Sequence, residues 1–178
     1  MIFPAEQTER DELRPRPAEG EWSICPVDRL GRRRRNRICV AIIALGALNF
    51  VAYTVLYASL GGDAYNGEVR VLTAADGQQR VAYFVRGHFI QSLEGREAEV
   101  SRGLWIYSYV HSMSVVVTSA AMILSMLVLA RPHILATMRD GWVTGAAFVR
   151  VLTVGVVVVT SLVLAAFVWD FARQLRVG

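Results

Sequence analysis

The sequence predicts an all-α integral membrane protein: three transmembrane helices, a small extracytoplasmic β-hairpin-like loop and a polar, largely irregular N-terminal arm. Three observations carry this. The 178 residues are 54% hydrophobic and only 19% charged, against about 25% charged in ordinary soluble domains. Mean hydropathy is +0.38. The apolar residues are gathered into three blocks, each close to the ~20 residues that cross a bilayer. Too little chain is left between the blocks for a sizeable water-soluble core, which excludes a soluble enzyme.

Residues 1–37 form the arm. It is rich in Pro and mixed in charge, with no apolar periodicity, so it cannot bury enough surface to offset its own ordering entropy. Trp22 and Ile24 are its best anchors. All 19 basic residues of the chain are Arg, and five of them, Arg32, Arg33, Arg34, Arg35 and Arg37, end the arm as a basic cluster suited to anionic lipid. Cys25 and Cys39 are too few and too poorly spaced for a disulfide framework or a zinc site.

The first span is residues 38–60, ICVAIIALGALNFVAYTVLYASL, without a charge. It is too long for a cleavable signal and reads as an uncleaved anchor. The second span is 104–130, with Arg131-Pro132 expected to stop it, because proline lacks the backbone donor that continues a helix. The third is 151–169, with Trp142 as its earliest start. Its run of valines would favour a strand in water, but a strand in lipid without a closed barrel leaves its backbone unpaired. Between spans one and two, residues 61–103 open with Gly61-Gly62 and hold two β-prone runs, EVRVLT and RVAYFV, joined across Asp76-Gly77. An isolated hairpin is marginal in water, so it needs a cover, from residues 94–103, from the membrane surface or from another subunit. Residues 97–103 alternatively extend span two as helix.

Arg near the span ends sets the orientation. The 32–37 cluster, with Arg131, Arg139 and Arg150 in the 131–150 connection, places the N-terminus in the cytoplasm and the 61–103 loop and 170–178 tail outside, in a bacterial inner membrane. Tyr53, Tyr57, Trp105, Tyr107, Tyr109 and Trp169 are expected as an aromatic belt at the outer interface.

Chemistry is sparse. No phosphate-binding glycine loop, nucleophile elbow or zinc-protease motif is present, and the chain is expected to be no enzyme. His111, about two turns into span two, is the one residue suited to a haem or chlorophyll-type ligand. The main expectation is no cofactor. Ser114, Thr118, Ala121 and Ser125 fall on one narrow helical stripe of small residues, the kind that lets membrane helices approach closely. Val116, Ile123 and Leu127 are expected on the opposite side, toward lipid or another subunit. These features lead to a non-catalytic accessory or structural subunit that packs within and stabilises a larger membrane complex of a respiratory or photosynthetic kind. Its partners would be other membrane subunits and anionic lipids, with no nucleic acid and no small-molecule substrate. The alternatives are a small membrane sensor, or a tetrapyrrole-binding subunit using His111.

Overall fold

The computed structural model describes residues 31–73, 77–90, 93–138 and 142–177. Trp22, Ile24, Cys25, Asp76 and Arg139 lie outside them. The chain divides into two units, Met1–Arg35 and Asn36–Gly178. Of the first, only residues 31–35 are described. The described residues form helix α1 (Arg32–Leu60), strands β1 (Val69–Thr73), β2 (Gln79–Arg86) and β3 (Glu97–Val100), helix α2 (Arg102–Thr137) and helix α3 (Gly145–Val177). By length and composition all three helices can cross a membrane.

Helix α1 stops where the Gly61-Gly62 pair predicts. Gly61 takes φ +78° and the Gly62 N–H donates to the Tyr57 carbonyl at 3.0 Å, a glycine-based C-terminal cap that satisfies an otherwise orphaned acceptor. Ser101 caps the start of α2, its hydroxyl accepting from the Leu104 N–H. Helix α2 then runs on through Pro132 to Thr137, seven residues beyond the expected stop at Ala130. The proline removes one backbone donor, and the loss is tolerable a turn and a half from the helix end, where freed carbonyls can be solvated. Helix α3 likewise starts at Gly145 and continues to Val177, so residues 170–177, expected as a tail, extend the helix. Gly145 lets the start of α3 lie directly against the last turns of α2: a Cβ there would lie 2.9 Å from the Ile134 carbonyl oxygen and 3.0 Å from the Leu135 Cα.

The 61–103 segment folds as an antiparallel sheet in the order β1-β2-β3. The hairpin pairs Val69 with Tyr83 and Thr73 with Gln79. Residues 97–100 supply a third strand, pairing Tyr83 with Val100 and Arg86 with Glu97, and do not extend α2 as helix. The sheet's inner face packs on the helices in one core: Ala64, Val69, Tyr83, Val85, Trp105 and Tyr109, flanked by Phe167 and Phe171. Trp105 and Tyr109 are completely buried and Tyr57 is 3% exposed. Three members of the expected aromatic belt are therefore core residues; Tyr107 and Trp169 are the ones left exposed. Aromatic side chains bury large apolar areas, and beneath a sheet that area is used for packing.

On the sheet's outer face Arg70 bonds Glu97 with both terminal nitrogens, at 3.0 and 3.1 Å, also pairs with Glu68, and lies 4.9 Å over the Phe84 ring. Arg80 pairs with Glu99 in the same forked manner. The contacts from Glu97, then Glu68, hold the Arg70 guanidinium above its ordinary pKa. Because that shift is upward, Arg70 remains charged and paired throughout the neutral and moderately alkaline range.

Candidate functional site

The most elaborate polar arrangement sits where α1, α2 and the sheet meet, around Asp63. This residue is only 2% exposed. Its Oδ2 accepts from the Tyr53 hydroxyl at 2.7 Å and from the Ser112 hydroxyl at 3.4 Å. Its Oδ1 accepts from the Asn66 side-chain amide at 2.7 Å and the Asn66 N–H at 3.2 Å. The backbone of Asp63 exchanges two hydrogen bonds with Arg86 at the end of β2. Asp63 thus ties α1, through Tyr53, and α2, through the longer Ser112 contact, to the sheet, which its backbone reaches at Arg86. The donors around its buried carboxylate offset the cost of taking a polar group out of water.

Neighbouring contacts strengthen this joint. The Ser108 hydroxyl accepts from the Ala64 N–H. The Tyr57 hydroxyl accepts from the Phe89 N–H at 2.7 Å and also from the His88 N–H, holding the loop after β2 on the end of α1. Glycine is required at this crossing: a Cβ on Gly62 would lie 2.1 Å from the Arg86 carbonyl carbon. On the α3 side, the Tyr109 hydroxyl donates to Asp170 at 2.7 Å, and Gln174 donates to the same carboxylate oxygen.

The small-residue stripe lies deeper. Asn49 of α1 donates to the Ser114 hydroxyl at 3.2 Å and the Thr118 hydroxyl at 3.1 Å. One turn away Gly46 is buried, and a Cβ on it would meet Met122 at 2.5 Å. Helix α1 therefore approaches α2 through Gly46 and Asn49, against Ser114, Thr118 and Met122. Ala121 is half-buried and Ser125 is buried. Of the residues expected to face outward, Ile123 is 46% exposed and Val116 half-buried, whereas Leu127 is 7% exposed, in a helix that packs against α3. Arg32, Arg33, Arg34 and Arg37 are exposed and Arg35 is half-buried.

His111 lies between the two levels. Its ring meets Tyr53 edge-on at 5.7 Å and Tyr107 at 5.7 Å. Its Nδ1 is buried with no hydrogen-bond partner among the described residues. The imidazole is thus packed into the α1–α2 contact. Among the described residues no group of three or more His, Cys, Asp or Glu is arranged to hold a metal ion.

Of the stripe, Ser114 and Thr118 meet Asn49 of α1; Asp63 was missed by sequence reasoning. A lone acid after a Gly-Gly breaker reads as an ordinary turn residue, and the available signal was its place beside a helix end that carries Tyr53 and Tyr57. No family model, no curated protein and no solved structure matches this chain.

Proposed function

We propose that this chain is a non-catalytic, integral membrane subunit that packs within and stabilises a larger membrane complex, with its N-terminal side in the cytoplasm of a bacterial cell and the sheet outside. The observation that supports it most is the division of polar and apolar surface in the helices. Asn49, Ser114 and Thr118, Tyr53 and Asp63, and Tyr109 and Asp170 bond one another within the chain. The surface left over is apolar. The most apolar window of α3 has 0% of its residues buried, and those of α1 and α2 have 11%. Polar side chains are thus used as internal glue, and long apolar flanks remain for lipid and neighbouring subunits.

Gentle extraction, a native gel and mass spectrometry of the co-migrating material test this reading. A stable assembly containing other membrane proteins is expected. Migration of the chain alone, from every mild detergent tried, would overturn it. The visible absorption of the same material tests the tetrapyrrole alternative at His111, and a spectrum without bands beyond the aromatic absorption is expected.

A second reading, a small membrane sensor, draws support from one contact. Asp63 joins the end of β2 to both α1 and α2, so a ligand on the sheet would have a rigid connection to the helices. A ligand-dependent change in the α1–α2 spacing in purified protein would favour it.

A further inference from the structure

Helices α2 and α3 have 36 and 33 residues, about 54 and 50 Å, whereas a hydrocarbon core is about 30 Å thick. Their length leaves the depth at which they sit undetermined. The sheet removes that freedom. Its edge strands carry unpaired backbone groups and its outer face carries Arg70, Arg80, Glu97 and Glu99, none of which belongs in hydrocarbon. The residues that hold the sheet and the segment leading into it must therefore lie outside the hydrocarbon core: Trp105, Ser108 and Ser112 on α2, and Phe171 on α3, next to Asp170, which bonds Tyr109.

We infer that the docked sheet sets the bilayer register, and that this register seats Trp142 among the phospholipid headgroups of the opposite leaflet. The inference rests on the membrane placement proposed above. The outer hydrocarbon boundary crosses α2 near Ser112 and α3 near Phe167. Counting about 20 residues inward puts the other boundary near Pro132 and Ala147. Gly145 is level with Ile134 and Leu135, a few residues beyond that boundary, or about 3–5 Å at 1.5 Å per residue. Trp142, Val143 and Thr144, which lead into α3, then fall in the headgroup layer, about 5–8 Å deep on each side.

The side chains there fit that layer. Trp142 is fully exposed, Val143 beside it is 51% exposed and Phe148 40%. An indole in this position has an apolar body for the acyl boundary and an N–H for the headgroups, the balance that concentrates tryptophan at membrane interfaces. Arg150 is exposed one turn into α3 and long enough to reach the same layer. By contrast, the hydropathy blocks alone centre the second span at Val117, and the sheet-set register centres it at Met122, next to the exposed Ile123 and about 7.5 Å further along the helix.

The test uses the full chain, with Cys25 and Cys39 replaced by Ser, in phosphatidylcholine vesicles containing phosphatidylglycerol. Nitroxide labels are placed singly at the exposed positions Val117 and Ile123 of α2 and Val158 of α3. The ratio of oxygen to water-soluble nickel collisions reports depth. The expected result is a several-fold higher ratio at Ile123 than at Val117. In parallel, Trp142 emission is taken as the difference between the parent and Trp142→Phe. Lipids brominated near the headgroup should quench it more strongly than lipids brominated at the chain ends. A deepest position at Val117 would overturn the register. Trp142 emission quenched by acrylamide and by neither lipid, or shielded from all three quenchers in native membranes, would overturn the headgroup seat, the latter by showing a protein neighbour. Low ratios at all three labels, Val158 included, would instead sink the membrane placement itself.

Discussion

Asp63 is the residue on which the most contacts converge, and its removal should be costly. Asp63→Ala leaves the Tyr53 hydroxyl and the Asn66 amide without their acceptor, while the Ser112 hydroxyl keeps the Ser108 carbonyl at 3.0 Å. Each buried unsatisfied donor costs ~1–3 kcal/mol, so a loss of about 2–4 kcal/mol is expected in thermal unfolding of the purified protein in detergent. Tyr53→Phe removes one donor and should cost about 1 kcal/mol. Trp105 offers a contrast within one side chain. Its indole N–H has no partner among the described residues, so Trp105→Phe should be mild, whereas Trp105→Ala opens a cavity costing about 3–5 kcal/mol. At the crossing of α1 and α2, Asn49→Leu should cost about 0.5–2 kcal/mol, the range for hydrogen bonds between membrane helices. Gly46→Ala places a Cβ 2.5 Å from both Cγ and Sδ of Met122, so the whole Met122 side chain must change rotamer; it should lower thermal stability measurably, and Gly46→Leu more. Likewise Ser114→Leu and Ala121→Leu should lower thermal stability more than Val116→Leu.

At the scale of elements, the helices were legible because charge-free runs of bilayer length have few alternative meanings. Their ends were less so. Arg131-Pro132 looked like a stop, yet one missing donor near the last turns does not overcome the favourable propagation of a long helix. Strand β3 was harder. Glu97-Ala98-Glu99-Val100 is short, half charged and compatible with helix, and its strand form depends on the free edge of β2 and on space for Val100 beside Tyr83. The same dependence predicts that the sheet does not fold alone, since Trp105, Tyr109 and Phe171 complete its core from the helices. A peptide of residues 61–103 should show no dispersed β-sheet amide resonances in water. A well-folded spectrum would mean that the helices contribute nothing essential and would shift the reading toward an autonomous sensor.

For the whole molecule, orientation is read from arginine placement, which answers to the membrane and not to packing. The expected topology puts Gln78 outside and Ser23 in the cytoplasm. Single cysteines at these positions, in a background lacking Cys25 and Cys39, should give labelling by an impermeant thiol reagent at position 78 of intact cells and none at position 23. The reverse pattern would invert the chain. The aromatic belt shows why some whole-molecule features stay hidden in a sequence. Trp105 and Tyr107 are two residues apart and equally aromatic, and only the arrival of the sheet on one side of α2 buries the first and leaves the second exposed.

Tyr109 and Asp170, joined at 2.7 Å across 61 residues, also impose an order of events. On the proposed placement, α1 enters the membrane first, then the strands are delivered, then α2. At that stage the hairpin can pair, and Trp105 and Tyr109 are present to receive it. Yet the stacking of Phe171 on Trp105 and of Phe167 on Tyr65 is still missing. The strands must wait, partly uncovered, until the last turns of α3 emerge from the ribosome and reach the far side. During biosynthesis the cap is therefore a late product, and its exposed interval is the one in which a chaperone or an assembling neighbour would find it most receptive.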